Sequence, residues 1–277
     1  MQAELHRGSN LSEAWLNAAT RLNNLPGGVA SNFCVAFDVH EETPQIRRVL
    51  DDFVAARRAK LRQDGKKENI YAPATVANTL FPASLYRWDK PGEHSRQHLY
   101  DMHDKVMSVQ SRLPLVDGKD NYFHRLVHWQ VADGDPINQL DAIVVRMRHQ
   151  RGLKSTLSSP YEASIENPEL DLGADARIQR PDDRSPIGFP CLSHVSFTMM
   201  GDRLDLAALY RNQHFVSRAY GNYLGLSRLL RFVAQETGCT PGEVLCIATH
   251  ADMEHSLGKA RLDDLLAHAR TVEELTA

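Results

Sequence analysis

His194-Val195-Ser196-Phe197-Thr198-Met199-Met200 and Arg203-Leu204-Asp205-Leu206-Ala207-Ala208-Leu209-Tyr210 are two runs of strand-forming residues separated only by Gly201-Asp202. Gly and Asp are turn residues, so the segment reads as two strands joined directly. Downstream, 220–237 is a long apolar stretch with helical spacing, and Gly238 stands where a helix would close. A further strand is expected over 244–249 and a terminal helix over 257–268. Two adjoining strands, a long helix and a returning strand predict an α+β domain with a mixed sheet.

Working towards the N-terminus, Leu11, Trp15, Ala18 and Leu22 repeat at helical spacing, with Ser12 as the expected N-cap. Residues 32–39 read as a strand. Pro44 opens a helix through Ile46, Val49, Leu50, Phe53 and Val54, whose other face carries Arg47, Arg48, Arg57, Arg58 and Lys60. That basic run reads as a solvated face. Helices are expected over 74–86, 97–113 and 136–151, and an extended Ser-rich segment over 153–165. Residues 167–185 contain Pro168, Gly173, Pro181 and several acids, and read as a surface loop or insertion. No composition break divides the chain, so 1–277 is taken as one domain.

A chain of 277 residues can bury a large core. A formal net charge of -3 gives no reason to expect a nucleic-acid surface. No apolar run reaches transmembrane length, and the N-terminus lacks a signal-peptide core. The four cysteines, Cys34, Cys191, Cys239 and Cys246, show no CxxC spacing. A cytoplasmic protein with free thiols and no membrane partner is expected.

Cys191 lies in Phe189-Pro190-Cys191-Leu192-Ser193-His194, twenty residues before Arg211, which is eleven before Asn222. A thiolate adds reversibly to electron-poor carbon, and a nearby guanidinium favours the ionised form. A carboxamide both donates and accepts, which suits reading the edge of a base.

The order Pro-Cys, strand, Arg-containing segment and Asn-bearing helix resembles the thymidylate synthase and pyrimidine nucleotide hydroxymethylase family, from Pro190 to Asn222 and on through Gln235 and Gly242. The resemblance implies a thymidylate synthase-like mixed sheet packed by helices and a homodimer. It also implies a C5 one-carbon transfer onto a pyrimidine nucleotide, with 5,10-methylenetetrahydrofolate as donor. Cys191 would add to C6 of the ring. Arg211 would hold both thiolate and phosphate. Asn222 would read the base and, being Asn rather than Asp, favours a uracil type. Tyr122, followed by Trp129, resembles the family's Tyr-X6-Trp segment, whose tyrosine assists removal of the C5 proton.

The same resemblance exposes departures. Lys154 and Ser155 stand where two arginines reach a partner subunit's phosphate, so a bidentate grip is lost. Asn78 stands where a glutamate organises proton transfer, Leu192 where a His follows the Cys, and His214 where an Asp holds the pterin. His250-Ala251-Asp252 stands for a His-X-Tyr contacting the ribose. The alternative they raise is a family fold kept as a dimeric nucleotide-binding or regulatory module.

His124 and His128 have metal-compatible spacing, but Arg125 occupies the position that HExxH gives to Glu. No third ligand is evident in the sequence, so no metal site is expected. No Gly-rich phosphate loop follows a strand.

Overall fold

The computed structural model describes residues 4–66, 70–110, 121–131, 134–153, 156–165 and 190–275. Its centre is a seven-stranded mixed sheet made of β1 (Glu4–Gly8), β2 (Val29–Asp38), β3 (Tyr161–Ser164), β4 (Leu192–Met200), β5 (Arg203–Tyr210), β6 (Gln213–His214) and β7 (Thr240–Asp252). The strand order is β1-β2-β7-β5-β4-β3, with β6 pairing to β7 off that path. β4 and β5 are the expected antiparallel pair, turning at Gly201 in the left-handed region. β5 and β7 run parallel, so the helix α7 (Tyr220–Thr237) crosses between them. The predicted α+β class and helix-packed mixed sheet are both present.

The remaining helices are α1 (Leu11–Asn23), α2 (Pro44–Gln63), α3 (Pro73–Leu80), α4 (Glu93–Gln110), α5 (Tyr122–Val127), α6 (Gln139–Arg151) and α8 (Lys259–Glu274). α1 and α7 lie on the sheet, α3 packs behind α7, and α8 closes over α1 and α2. Trp15 of α1 is fully buried and spends its indole N–H on the Phe215 carbonyl at 2.9 Å. It therefore carries aromatic burial into the core with no unpaired donor, contributing about 1.5–3 kcal/mol.

Two glycines set the depth of α3. A Cβ on Gly221 would stand 2.5 Å from Val76 Cβ and 2.7 Å from the Pro73 carbonyl oxygen. One on Gly225 would meet Leu80 Cβ at 2.6 Å. The bare face of α7 thus lets α3 approach to backbone contact, beside Asn222.

A buried ion network ties α4 to α7. Arg96 donates to Glu236 Oε2 at 2.8 Å and to Asp141 Oδ1 at 2.7 Å. Glu236 also accepts from the Tyr86 hydroxyl and from the Gly92 N–H at 2.8 Å. A carboxylate held out of water is tolerated here because each oxygen has a donor and a guanidinium pairs its charge.

Several boundaries differ from expectation. Asn10, not Ser12, caps α1 by accepting from the N–H groups of Ser12 and Glu13. Ser12 instead turns its hydroxyl to Tyr220 (2.7 Å) and Thr43 N–H (2.9 Å). The helix expected over 74–86 stops at Leu80 because Pro82 follows, and a short 3₁₀ turn, Ala83–Leu85, takes the rest. Tyr122 sits on a six-residue helix, capped by Asn121. The proposed loop at 167–185 lies outside the described residues.

Candidate active site

The candidate site collects where β4 begins and β5 ends, at one end of the central strands. Cys191 immediately precedes β4, and Arg211 immediately follows β5. Antiparallel pairing of the two strands sets them opposite each other, and the Arg211 N–H donates to the Cys191 carbonyl at 2.9 Å. A register shift between Leu192 and His194 makes Ser193 the extra residue, with its hydroxyl on the Leu209 carbonyl at 3.0 Å. Such a bulge turns the start of a strand and so re-aims the side chain before it.

Cys191 is half-buried. Burial raises its pKa, while the guanidinium groups of Arg211 and Arg218 act in the opposite direction. The sequence led us to expect an arginine-activated thiolate. Both cations do favour that form, but desolvation of the sulfur is the larger effect in the ligand-free chain. In the ligand-free chain the balance at this sulfur is therefore shifted towards the thiol.

Tyr122 reaches this same turn. Burial and the proximity of Cys191 push its phenol up to about 12, and the backbone N–H groups of Leu192 and Cys191 offset part of that rise. A phenol held neutral beside the sulfur can act as a proton carrier or hold a water. Beneath them Tyr210 is fully buried, and its hydroxyl has no hydrogen-bond partner among the described residues.

β5 leads through β6 into a π-helical turn, Phe215–Ala219, and then α7. Glu254, itself at φ 64°, anchors the turn by accepting from the N–H groups of Val216 (2.8 Å) and Ser217 (2.7 Å). Arg218 lies on this turn, with its Cζ 4.7 Å from the centroid of the exposed Tyr71 ring. Asn222 follows four residues later and is buried. Its Oδ1 has no hydrogen-bond partner among the described residues. An orphaned buried acceptor costs about 1–3 kcal/mol, so a ligand donor that satisfied it would recover that cost.

Beyond Arg211, the Asn212 carboxamide bridges two expected residues. Its Oδ1 meets His250 Nδ1 at 2.8 Å, and its Nδ2 meets His214 Nε2 at 3.2 Å. Asp252 lies beside β6, with Oδ2 at 3.7 Å from His214 Nδ1. The structure thus joins Cys191, Arg211 and Tyr122 in one cluster and His214, His250 and Asp252 in a second. Asn212 links the second cluster to the chain at Arg211. Asn78 lies elsewhere, on the exposed side of α3, where it accepts from Arg228 Nη1 at 3.1 Å. Lys154 and Ser155 lie outside the described residues.

Arg218, Tyr71 and Asn212 were not picked out from sequence. Arg218 could have been, since it precedes Asn222 by one helical turn and would share its face. Two described cavities lie away from this site. One, of about 480 Å³, lies between α2 and α8, and the other, of about 830 Å³, is lined by Trp88, Arg228 and Arg231.

A half-buried thiol thus lies within electrostatic reach of two guanidinium groups and of a neutral phenol. Three curated proteins, each named "Putative thymidylate synthase", are similar to part of this chain. Those of Methanosarcina barkeri and Methanosarcina mazei are 26% identical over 106 residues, which is 38% of this chain and 49% of each relative. That of Methanococcoides burtonii is 22% identical over 135 residues, 49% of this chain and 52% of the relative. The chain spans about half the length of the curated relatives it matches. No protein-family model matches it. Low identity and partial coverage together support a divergent resemblance to thymidylate synthases. Among the described residues, no helix is long and apolar enough to cross a membrane.

Proposed function

We propose that this chain transfers a one-carbon unit to C5 of a uracil-type pyrimidine nucleotide through a Cys191 adduct at C6. The observation that carries this reading is the convergence of Arg211, Arg218 and Tyr122, from three different elements, on Cys191. Asn222 follows a helical turn later. In the proposed reaction Arg211 and Arg218 hold the phosphate and favour the thiolate as substrate displaces water. The sulfur adds to C6, and the ring electrons move to C5 and O4. C5 would take the one-carbon unit as that carbon's bond to the folate nitrogen breaks, and Tyr122 with an ordered water would carry away the C5 proton. Hydride from the reduced folate (methyl product) or water (hydroxymethyl product) would add to the resulting exocyclic methylene as the thiolate leaves C6 and the ring is restored.

Asn222 Oδ1 would accept from N3–H of uracil, and its Nδ2 would donate to O4. A methylene-bearing reduced folate would supply the one-carbon unit. The resemblance expects a carboxylate where His214 stands, and Asp252 places one 3.7 Å from that imidazole. His214 and Asp252 are accordingly the groups proposed to hold a pterin, with His250 for the sugar. A direct role for Asn78 is not supported by its pairing with Arg228.

We also propose a homodimer through the helix-free face of the sheet. There Leu209 is 38% exposed, and Ala207, Leu245 and Ile247 are half-buried. Lys154 and Ser155 are proposed to reach the partner's phosphate. Sedimentation of the wild type against Leu209→Lys tests this assembly, and a monomeric wild type contradicts it.

The second reading is a nucleotide-binding module without turnover, favoured by the raised pKa of Cys191. Release of tritium from C5 of labelled dUMP, UMP, dCMP and CMP separates the two. Release from a uracil nucleotide that disappears in Cys191→Ser supports the enzyme. No release from any of the four, with nucleotide still bound, supports the module.

A further inference from the structure

The third ligand that could not be found beside His124 and His128 in the sequence comes from another helix. Asp104 on α4 brings Oδ1 to 2.6 Å from His128 Nε2. The imidazoles of His124 and His128 lie with centroids 4.7 Å apart and planes inclined by 32°. One ligand atom from each of the three residues lies within 4.8 Å of the other two. A further imidazole, His103, stands 5.7 Å from His124 by ring centroid. It is buried, and its Nε2 has no hydrogen-bond partner among the described residues.

The Asp104–His128 hydrogen bond joins two of these residues, and His124 brings a third ligand atom to the same place. A divalent cation gives all three ligand atoms a common partner. Two imidazole nitrogens and a carboxylate oxygen suit a borderline ion such as zinc or ferrous iron, whereas magnesium and calcium select oxygen alone. Bonds of about 2.0–2.2 Å to a tetrahedral ion put ligand atoms roughly 3.3 Å apart. The widest separation here would close by about 1.5 Å, within reach of side-chain torsions at a partly exposed site.

We propose that Asp104, His124 and His128 form a binding site for a zinc-class divalent metal ion, with three protein ligands and an open position. The site bridges α4 and α5. Since α5 also carries Tyr122, the ion would hold in place the short helix that delivers the phenol to Cys191. The proposal concerns metal binding and stands whether or not Cys191 catalyses transfer.

The test is titration of the EDTA-treated full chain with zinc chloride, read by calorimetry, and with cobalt chloride, read by its visible spectrum. The wild type and Cys191→Ser are expected to bind one equivalent. Asp104→Asn and His128→Gln are expected to lose affinity by at least about 10-fold, a smaller loss than removal of a ligand usually brings. Asp104 is exposed, so its substitution leaves the fold intact and separates lost ligation from misfolding. Absence of stoichiometric binding to the wild type overturns the proposal. So does binding that survives both substitutions, or binding lost in Cys191→Ser, which would place the ion on the thiol.

Discussion

Gly221→Ala probes how the fold positions Asn222, the residue proposed to read the base. The added Cβ would lie 2.5 Å from Val76 Cβ, 2.7 Å from the Pro73 carbonyl oxygen and 2.9 Å from Val76 Cγ1. Carbon atoms in contact sit about 3.5–4.0 Å apart, so α3 and α7 must separate by about 1 Å. Neither Val76 Cβ nor the Pro73 carbonyl is a flexible side-chain end that could turn aside. Overpacking costs about 1–3 kcal/mol, and the upper end applies where backbone must move. Alanine's better helix propensity returns about 1 kcal/mol. A net loss of roughly 2 kcal/mol follows, or a fall in Tm of about 4 °C for a chain of this size. Asn222 is the next residue, and a displacement near 1 Å at a reacting group costs about 100-fold in rate. Thermal unfolding and C5 tritium release together measure both effects. A variant as stable and active as the wild type would refute the close-packed α3–α7 contact as the device that places Asn222.

Other substitutions test the site and its support. Asn222→Asp removes the donor to O4 and presents an acceptor to the cytosine amino group. Turnover should shift from uracil to cytosine nucleotides by roughly 10- to 100-fold, the worth of a hydrogen bond gained or lost at about 1–3 kcal/mol, as read by tritium release from each base. Because burial raises the Cys191 thiol, its thiolate fraction grows with pH, and its alkylation by iodoacetamide should still be accelerating above the ordinary thiol value of about 8.5. Arg218→Gln should slow alkylation at fixed pH, since the guanidinium lowers that pKa. A rate already level at neutral pH would contradict the first statement, and an unchanged rate in Arg218→Gln the second. Glu236→Ala strips Arg96, Tyr86 and Gly92 of a shared buried acceptor and should cost about 3–5 kcal/mol in urea unfolding; a loss below 1 kcal/mol would show the network to be dispensable.

What could be read directly from the chain was local. The β4–β5 pair and α7 are continuous runs whose strand and helix patterns agree with their turn and cap residues, and they fold as their text suggests. β1 could not be seen this way. Glu4–Gly8 is mostly polar, and it becomes a strand only by parallel pairing with β2. α5 is too short for periodicity to show, and it rests on its Asn121 cap and the burial of Phe123, Leu126 and Val127. The site divides the same way. Cys191, Arg211 and Asn222 announce themselves by linear spacing. Arg218 looks like any helix-surface arginine until the π-helical turn brings it to the sulfur. Asp104 meets the two histidines only because α4 and α5 lie side by side. The sign of the Cys191 shift was equally hidden, since spacing reports the cation but not the burial that outweighs it.

The proposed adduct at Cys191 is open to a direct mass measurement. The full chain, incubated with 5-fluoro-dUMP with and without methylenetetrahydrofolate, is analysed by intact mass and then by peptide mapping. Once the folate carbon is bonded to C5, fluorine stands where the departing proton would be and cannot leave as one, so the adduct of chain, nucleotide and folate should persist. The expected result is a mass increase of one nucleotide plus the folate when both are present, located on Cys191 and lost in Cys191→Ser. An unmodified chain across the dUMP, UMP and CMP analogues, or an adduct on another residue, would contradict nucleophilic addition by Cys191.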